Sequence, residues 1–429
     1  MKTTFLYKSA IALGILAFAS CKPNIDAPEP TKGSADFSRY IAIGNSLTAG
    51  FADGGLNLEG QQNSYPELIA AQMKLVGGGS FNTPLFPADK PNGSGFLKLT
   101  AVTNGVPTIV QETSNLAVRG QAGSLLLYTK YTGEINNYGV PGIQLIHATV
   151  NGYGLANPYF ERMLTGDYGT NTTSYLTFVT SKPFTFFSNW LGNNDVLGYA
   201  TAGATGAAPT AKGTFTAAYT NLINTLTVNG AKGVVATIPN VTATAYFHTV
   251  TLKTLLAAIN ATPTGANIKD IYIQPGSGPA RTATAEDLFT LTLSSANVMG
   301  KPNGNGIPYG LHPANPVESK YVLDKAEIAT VNDFTLSYNA SIKSIAEAKG
   351  LAVMDAYALL NEYGAGKAAN GIPVSAAFIQ GNLFSLDGIH LTQMGYAITA
   401  NAFIAAINNK YESSIPHVDV TKYHGVKLP

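Results

Sequence analysis

The chain has 429 residues, of which 45% are hydrophobic and only 12% charged. Its 26 basic and 25 acidic side chains leave a formal net charge of +1 with no basic stripe, which argues against nucleic acid as a partner. The length is enough for a large core, as one big α/β domain or as a domain with a sizeable insertion. Low charge combined with 44 Gly and 22 Tyr suggests an exported protein with a polar but uncharged surface.

At the N-terminus, Lys2 and Lys8 precede an apolar segment at residues 10–19, too short to remain as a spanning helix. It ends Phe18-Ala19-Ser20-Cys21. Small residues before a cysteine resemble a bacterial lipoprotein signal, in which Cys21 becomes the lipidated first residue; Phe18 departs from the usual leucine. Cys21 is the only cysteine, so a disulfide within the chain is impossible. Residues 22–36 are proline-rich and polar at their start and read as a tether.

The next signal is Tyr40-Ile41-Ala42-Ile43-Gly44-Asn45-Ser46-Leu47, an apolar run stopped by glycine with a serine just beyond it. The run reads as a buried strand. A serine past its end lies where open α/β sheets place their ligands. Further strands are predicted at a short run ending near Tyr138, at 185–191, 234–238 and 351–354. The apolar spacing of Tyr65, Leu68, Ile69 and Met73 predicts a helix over 65–76. That of Phe215, Tyr219, Leu222, Ile223 and Leu226 predicts another, ended by Asn229-Gly230. A last helix is predicted over 392–408, with Thr392 as its N-cap. Alternating strands and helices imply a parallel sheet covered on both faces.

Two stretches exceed what such a core needs. Residues 76–135 are rich in Gly, Thr, Asn and Pro, with a strand-like piece at 125–131. Residues 245–317 carry a predicted helix at 251–259 and Gly/Pro-rich loops. Both read as insertions beside the active-site rim, within a domain spanning 37–412 and followed by a tail at 413–429. The first insertion lies between Ser46 and Gly142, so it is expected to overhang the pocket. Its aromatics Phe81, Phe86, Phe96, Tyr128 and Tyr131 suggest a surface for a sugar or another polar group.

Three further motifs complete a hydrolase pattern. They are Asn137-Tyr138-Gly139-Val140-Pro141-Gly142, Gly192-Asn193-Asn194-Asp195 and Asp387-Gly388-Ile389-His390. With Gly44-Asn45-Ser46-Leu47 they resemble the SGNH hydrolases, the GDSL-type esterases and lipases, across roughly residues 38–408. Asn45 replaces the family's usual aspartate, and Leu391 stands where many members have proline. The resemblance implies a three-layer α/β/α fold with a central parallel sheet, and the catalytic residues Ser46, Asp387 and His390. It also implies an oxyanion hole formed by the Ser46 N–H, the Gly142 N–H and the Asn194 amide.

The chemistry suits these residue types. A serine hydroxyl needs an adjacent base, and a neutral imidazole can take its proton and return it to the leaving alcohol. Asp387, three residues before His390, can orient the ring. His147, His248, His312, His417 and His424 form no metal-ligand spacing and suit solvated surface roles. No metal or cofactor is expected.

The reading is a carboxylic ester hydrolase working through an acyl-enzyme on Ser46. Its expected substrate is a lipid or glycan ester, leaning to a short acyl group on a polar alcohol or carbohydrate. The protein is expected in a bacterial cell envelope, held by lipid on Cys21 at the outer membrane or cell surface. The competing readings are a non-catalytic binding lipoprotein and an acyltransferase of the same fold.

Overall fold

A computed structural model describes residues 29–103, 105–262, 267–276 and 278–429. The signal segment, Cys21 and the start of the tether lie outside the described residues. Five strands form the central sheet: β1 (Tyr40–Gly44), β2 (Asn137–Gly139), β3 (Phe186–Trp190), β4 (Lys232–Ala236) and β5 (Ala352–Met354), in the order β5-β4-β3-β1-β2. Every pairing is parallel, with Tyr40 beside Phe186 and Gly44 beside both Trp190 and Gly139. Each predicted strand is present, within a residue or two at its ends.

The period-two alternation of the strands sorts their side chains into two cores. Tyr40, Ala42, Phe186, Trp190, Val234 and Ala236 face one side. There they meet helices α2 (Tyr65–Lys74), α6 (Ala356–Gly364) and α7 (Gln393–Tyr411). Ile41, Ile43, Phe187 and Val235 face the other. They are covered by α3 (Asn194–Thr201), α4 (Lys212–Thr227) and α5 (Lys325–Ala348). The result is a three-layer α/β/α fold. Ile415, Val418 and Val420, beyond α7, join the first core.

The segment at 76–135 forms two antiparallel hairpins, Phe96–Thr103 with Val106–Glu112 and Val118–Ala122 with Leu125–Tyr128. Arg162 anchors it from the core side. Its buried guanidinium donates to the carbonyls of Pro84 (2.6 Å), Leu85 (3.0 Å) and Thr129 (3.0 Å). It also lies over the Phe86 ring at 4.3 Å. The segment at 245–317 has its own small core around Leu255, Ile273, Phe289 and Val317, and its helix Leu252–Asn260 is capped by Thr251.

Candidate active site

Three adjacent strands deliver three loops to one end of the sheet. At the end of β1, Asn45 is the N-cap of α1 (Ser46–Ala49), and its Oδ1 accepts the Leu47 N–H at 3.0 Å. Asparagine caps as well as aspartate does, so Asn45 fills this role despite departing from the family motif. Gly44 is required here, because a Cβ would lie 1.9 Å from Thr48 Oγ1. This close turn sets Ser46 on the first residue of α1, with a largely buried side chain.

His390 comes from the loop before α7. Its Nε2 lies 2.8 Å from Ser46 Oγ, and its Nδ1 lies 2.8 Å from Asp387 Oδ2. A carboxylate only accepts, so Nδ1 carries the hydrogen and the Nε2 lone pair receives the Ser46 hydroxyl. Asp387 also accepts the N–H groups of Gly54 (2.7 Å), Ile389 (2.9 Å) and His390 (2.8 Å). Burial alone would raise its pKa. The positive charge His390 can carry, together with these hydrogen bonds, outweighs that and holds the carboxyl well below its usual range. Asp387 therefore stays ionised throughout the working pH range of an ester hydrolase.

The loop after α1 braces this arrangement. Besides the Gly54 bond, Asp53 Oδ1 accepts the Leu386 N–H at 2.8 Å, and the Asp53 N–H donates to Ser385 Oγ at 2.9 Å. Burial pushes the Asp53 carboxyl up to about 6, and the neighbouring Asp387 charge adds to this. Phe51 covers the imidazole, with ring centroids 4.6 Å apart. Phe51 and Tyr159 meet edge to face, and Tyr159 packs on Tyr128 of the second hairpin. Sequence reasoning missed Phe51, Asp53 and Gly54. Their only signal is proximity to Ser46 in the chain, since a backbone N–H and a ring contact leave no motif.

Gly142 follows β2 and Asn194 opens α3. Gly142 has φ +81°, a conformation that glycine adopts without strain. Among the described residues, neither its N–H nor that of Ser46 has a protein acceptor. Asn194 Nδ2 donates to Ile143 O at 2.9 Å, and Gln144 Nε2 donates to Asn194 O at 3.1 Å. Asp195 completes the link by accepting the Leu145 N–H at 2.7 Å and the Thr210 hydroxyl at 2.8 Å. The start of α3 is thus stitched to the segment carrying Gly142, and one Asn194 amide hydrogen is left for a ligand.

A cavity of about 30 Å³ opens beside Ser46 and His390. Its walls include Leu197, Val241, Leu360 and Ile389, with Asn193 and Asn194 among the lining residues. The segment at 76–135 supplies none of this lining; it reaches the site through Tyr128, which packs on Tyr159 beside Phe51. Three of its aromatics serve packing instead: Phe81 stacks on Tyr40, Phe86 lies under Arg162, and Tyr128 is buried against Tyr159. Larger clefts lie elsewhere. One of about 690 Å³ lies between Asp36, Arg39, Lys182 and Lys232, at the opposite ends of β1, β3 and β4. Another of about 480 Å³ lies between the first hairpin and residues 424–429. Neither contains Ser46 or His390.

Of the other histidines, His147 stacks on Tyr153, the His248 ring contacts Thr242 O, and His424 lies 3.3 Å from Glu59.

The family model described as GDSL-like Lipase/Acylhydrolase matches residues 40–403. No curated protein matches the chain in sequence. Among solved structures, an alpha/beta hydrolase enzyme from the metagenome of Lake Arreo is 12% identical, with 87% of this chain and 96% of that one covered and a TM-score of 0.37. A variant of an acetyl xylan esterase from Geobacillus stearothermophilus is 12% identical, with 88% and 97% covered and a TM-score of 0.34. The lipase/acylhydrolase from Enterococcus faecalis is also 12% identical, with 89% and 100% covered and a TM-score of 0.34.

Proposed function

The chain belongs to the GDSL-like lipase/acylhydrolase family, a family of ester hydrolases, and from that premise we propose that it cleaves carboxylic esters through an acyl-enzyme on Ser46. The observation that carries this reading is the continuous run of hydrogen bonds from Asp387 through His390 to Ser46.

In the first half-reaction, Ser46 Oγ bonds to the ester carbon as its proton passes to His390 Nε2. The carbonyl electron pair moves onto oxygen, where the Ser46 N–H, the Gly142 N–H and the Asn194 amide stabilise it. Collapse of this intermediate breaks the bond to the alcohol oxygen, which takes the proton from His390. In the second half-reaction, His390 removes a proton from water as the water oxygen bonds to the acyl carbon, and the bond to Ser46 Oγ then breaks as Oγ takes that proton back from His390, releasing the carboxylic acid. Asp387 holds the ring in the required tautomer and offsets the positive charge it carries between these steps. No metal or cofactor takes part in this scheme.

The proposed substrates carry a short acyl group on a polar alcohol or a carbohydrate. The proposed location is a bacterial cell envelope, with lipid on Cys21 as the anchor; the sequence before Cys21 supports this. A fluorophosphonate probe, which reacts only with an activated serine, tests the reading. Labelling that maps to Ser46 is the expected result. A folded protein left unlabelled would support a binding protein instead.

A further inference from the structure

We propose that the protein, held through Cys21, stands with Ser46 on the end that faces away from its own bilayer, and so acts on esters presented from the aqueous side rather than on the lipids that anchor it. The inference rests on the proposed hydrolase and anchor readings and adds the direction from which substrate arrives.

The first argument is where the tether joins the fold. Thr31 and Ser414 are linked twice: the Ser414 N–H donates to Thr31 O at 2.9 Å, and the Thr31 N–H donates to Ser414 Oγ at 2.8 Å. The Ser34 N–H donates to Tyr411 O at 2.8 Å. Gly33 runs so close to this segment that a Cβ would lie 2.1 Å from Tyr411 O. Residues 31–34 are thus fixed to the C-terminal end of α7. The Tyr411 hydroxyl in turn donates to Gly233 O at 2.7 Å, and Lys232 Nζ donates to Ser34 O at 2.5 Å, both at the start of β4. The groups that receive the tether therefore lie at the N-terminal ends of the strands, whereas Ser46 follows the C-terminal end of β1.

The second argument is distance. α7 runs from one end of the domain to the other, with His390 three residues before its start and Tyr411 as its last residue. Its 19 residues make it about 28 Å long at ~1.5 Å per residue. The stretch from Cys21 to Thr31 reaches at most about 36 Å, whatever its conformation. With the tether end toward the bilayer, that length is slack. With the catalytic end toward the bilayer, the stretch must run back along the whole of α7 and around the flank of the domain, which uses nearly all of it. A chain drawn so straight gives up most of its conformations, and a linker that barely spans two points keeps their effective concentration low.

The other end of the fold supplies a comparison. The Met394 N–H donates to His424 O at 3.0 Å, and Lys427 Nζ donates to Glu59 Oε1 at 2.6 Å. Residues 424–429 share a cleft with Asp53, Ser385 and Leu386, which brace the Asp387 loop. Attachment through residue 429 therefore brings the catalytic end toward the bilayer, and attachment through residue 21 carries it away.

The consequence concerns substrate. An ester on a lipid of the anchoring bilayer has to cross the height of the domain to meet Ser46. An ester on a soluble molecule, or on a glycan standing off the bilayer, meets it directly.

The test couples the chain from Cys21 onward, the form that processing at Cys21 leaves, to vesicles carrying a maleimide lipid through its only cysteine. A second form, Cys21→Ser with a cysteine added after Pro429, is coupled by the other end. A fluorescent fluorophosphonate on Ser46 reports the height of the site by energy transfer to an acceptor dye in the bilayer, and transfer should be stronger in the second form. An ester placed directly on a lipid headgroup should be cleaved about tenfold or more faster by the second form, as a difference in effective concentration requires. A soluble ester of the same acyl group should be cleaved equally by both, which also verifies that both are folded. A long Gly/Ser insert in the tether of the first form should remove most of the difference. Equal transfer and equal rates on the lipid-borne ester would overturn the orientation and leave the hydrolase standing. Absence of both labelling and soluble-ester turnover would instead remove the hydrolase reading. Membrane retention of Cys21→Ser in cells would remove the anchor reading, and the orientation with it.

Discussion

His390 Nε2 lies 2.8 Å from Ser46 Oγ, although the two residues are 344 positions apart in the chain. The contact joins the end of β1 to the start of α7, so it exists only in the folded protein. It depends on the ring tautomer, which Asp387 sets from the other side. Asp387→Asn keeps the shape but allows the amide to donate to Nδ1, leaving Nε2 protonated and unable to accept. The expected loss in kcat is about 10⁴, with KM little changed. Steady-state kinetics on a short activated ester checks it, and a loss under tenfold would mean that His390 does not need Asp387.

Asn194→Ala should lower kcat by roughly 10² to 10³ while KM stays within a few-fold, because an oxyanion donor acts mainly in the transition state. The same change removes the bond to Ile143 O, beside Gly142. Asn194→Asp is a useful companion. It has the same size but puts a negative charge where the oxyanion forms, and should be at least as damaging. A rise in KM alone would make Asn194 a substrate-binding residue.

Asp53 gives stability a pH dependence of known sign. Its folded carboxyl titrates at about 6, above the ordinary 3.8. The stabilising contribution of the protonated form is therefore complete below about pH 4 and lost as pH rises through 6. Asp53→Asn is neutral at every pH, retains an oxygen for the Leu386 N–H, and tolerates the residue's φ of +54°. Thermal melts should show the variant more stable than wild type at pH 7.5, on the order of 3 kcal/mol. The difference should shrink toward zero at pH 4. An equal difference at both pH values would contradict this.

Cys21→Ser should move the protein out of the membrane fraction, since no thioether-linked lipid can form. Among the described residues, no helix is long and apolar enough to cross a membrane. Fractionation of cells expressing each form decides the matter. Unchanged association of the serine form would point to a partner or to a retained signal segment.

Much of the core was legible because its signals are local. The run at 40–43 predicts β1 through its length and glycine stop, and the apolar spacing from Phe215 to Leu226 predicts α4. Thr392 caps α7 by accepting the Gly395 N–H. The long helix α5 went unread although Asp324 and Glu327 form a capping box at its start. Its buried face includes Thr335 and Asn339, which break the apolar pattern. The packing of the first insertion was not legible for a different reason. Composition cannot tell an aromatic facing a ligand from one facing Tyr40 or Arg162, and that choice is made by contacts between distant segments. The cavity beside Ser46 was hidden in the same way, since Leu197, Val241, Leu360 and Ile389 come together only in the fold.

The most direct measurement is ester turnover by Ser46→Ala, made in the chain from residue 31 onward and compared with the same chain carrying Ser46 on a short activated ester. Loss of a triad nucleophile costs on the order of 10⁶ in rate. The expected result is turnover at or near background, with an unchanged circular dichroism spectrum and melting behaviour. A folded variant that kept more than about a tenth of the wild-type rate would contradict the assignment of Ser46 as nucleophile.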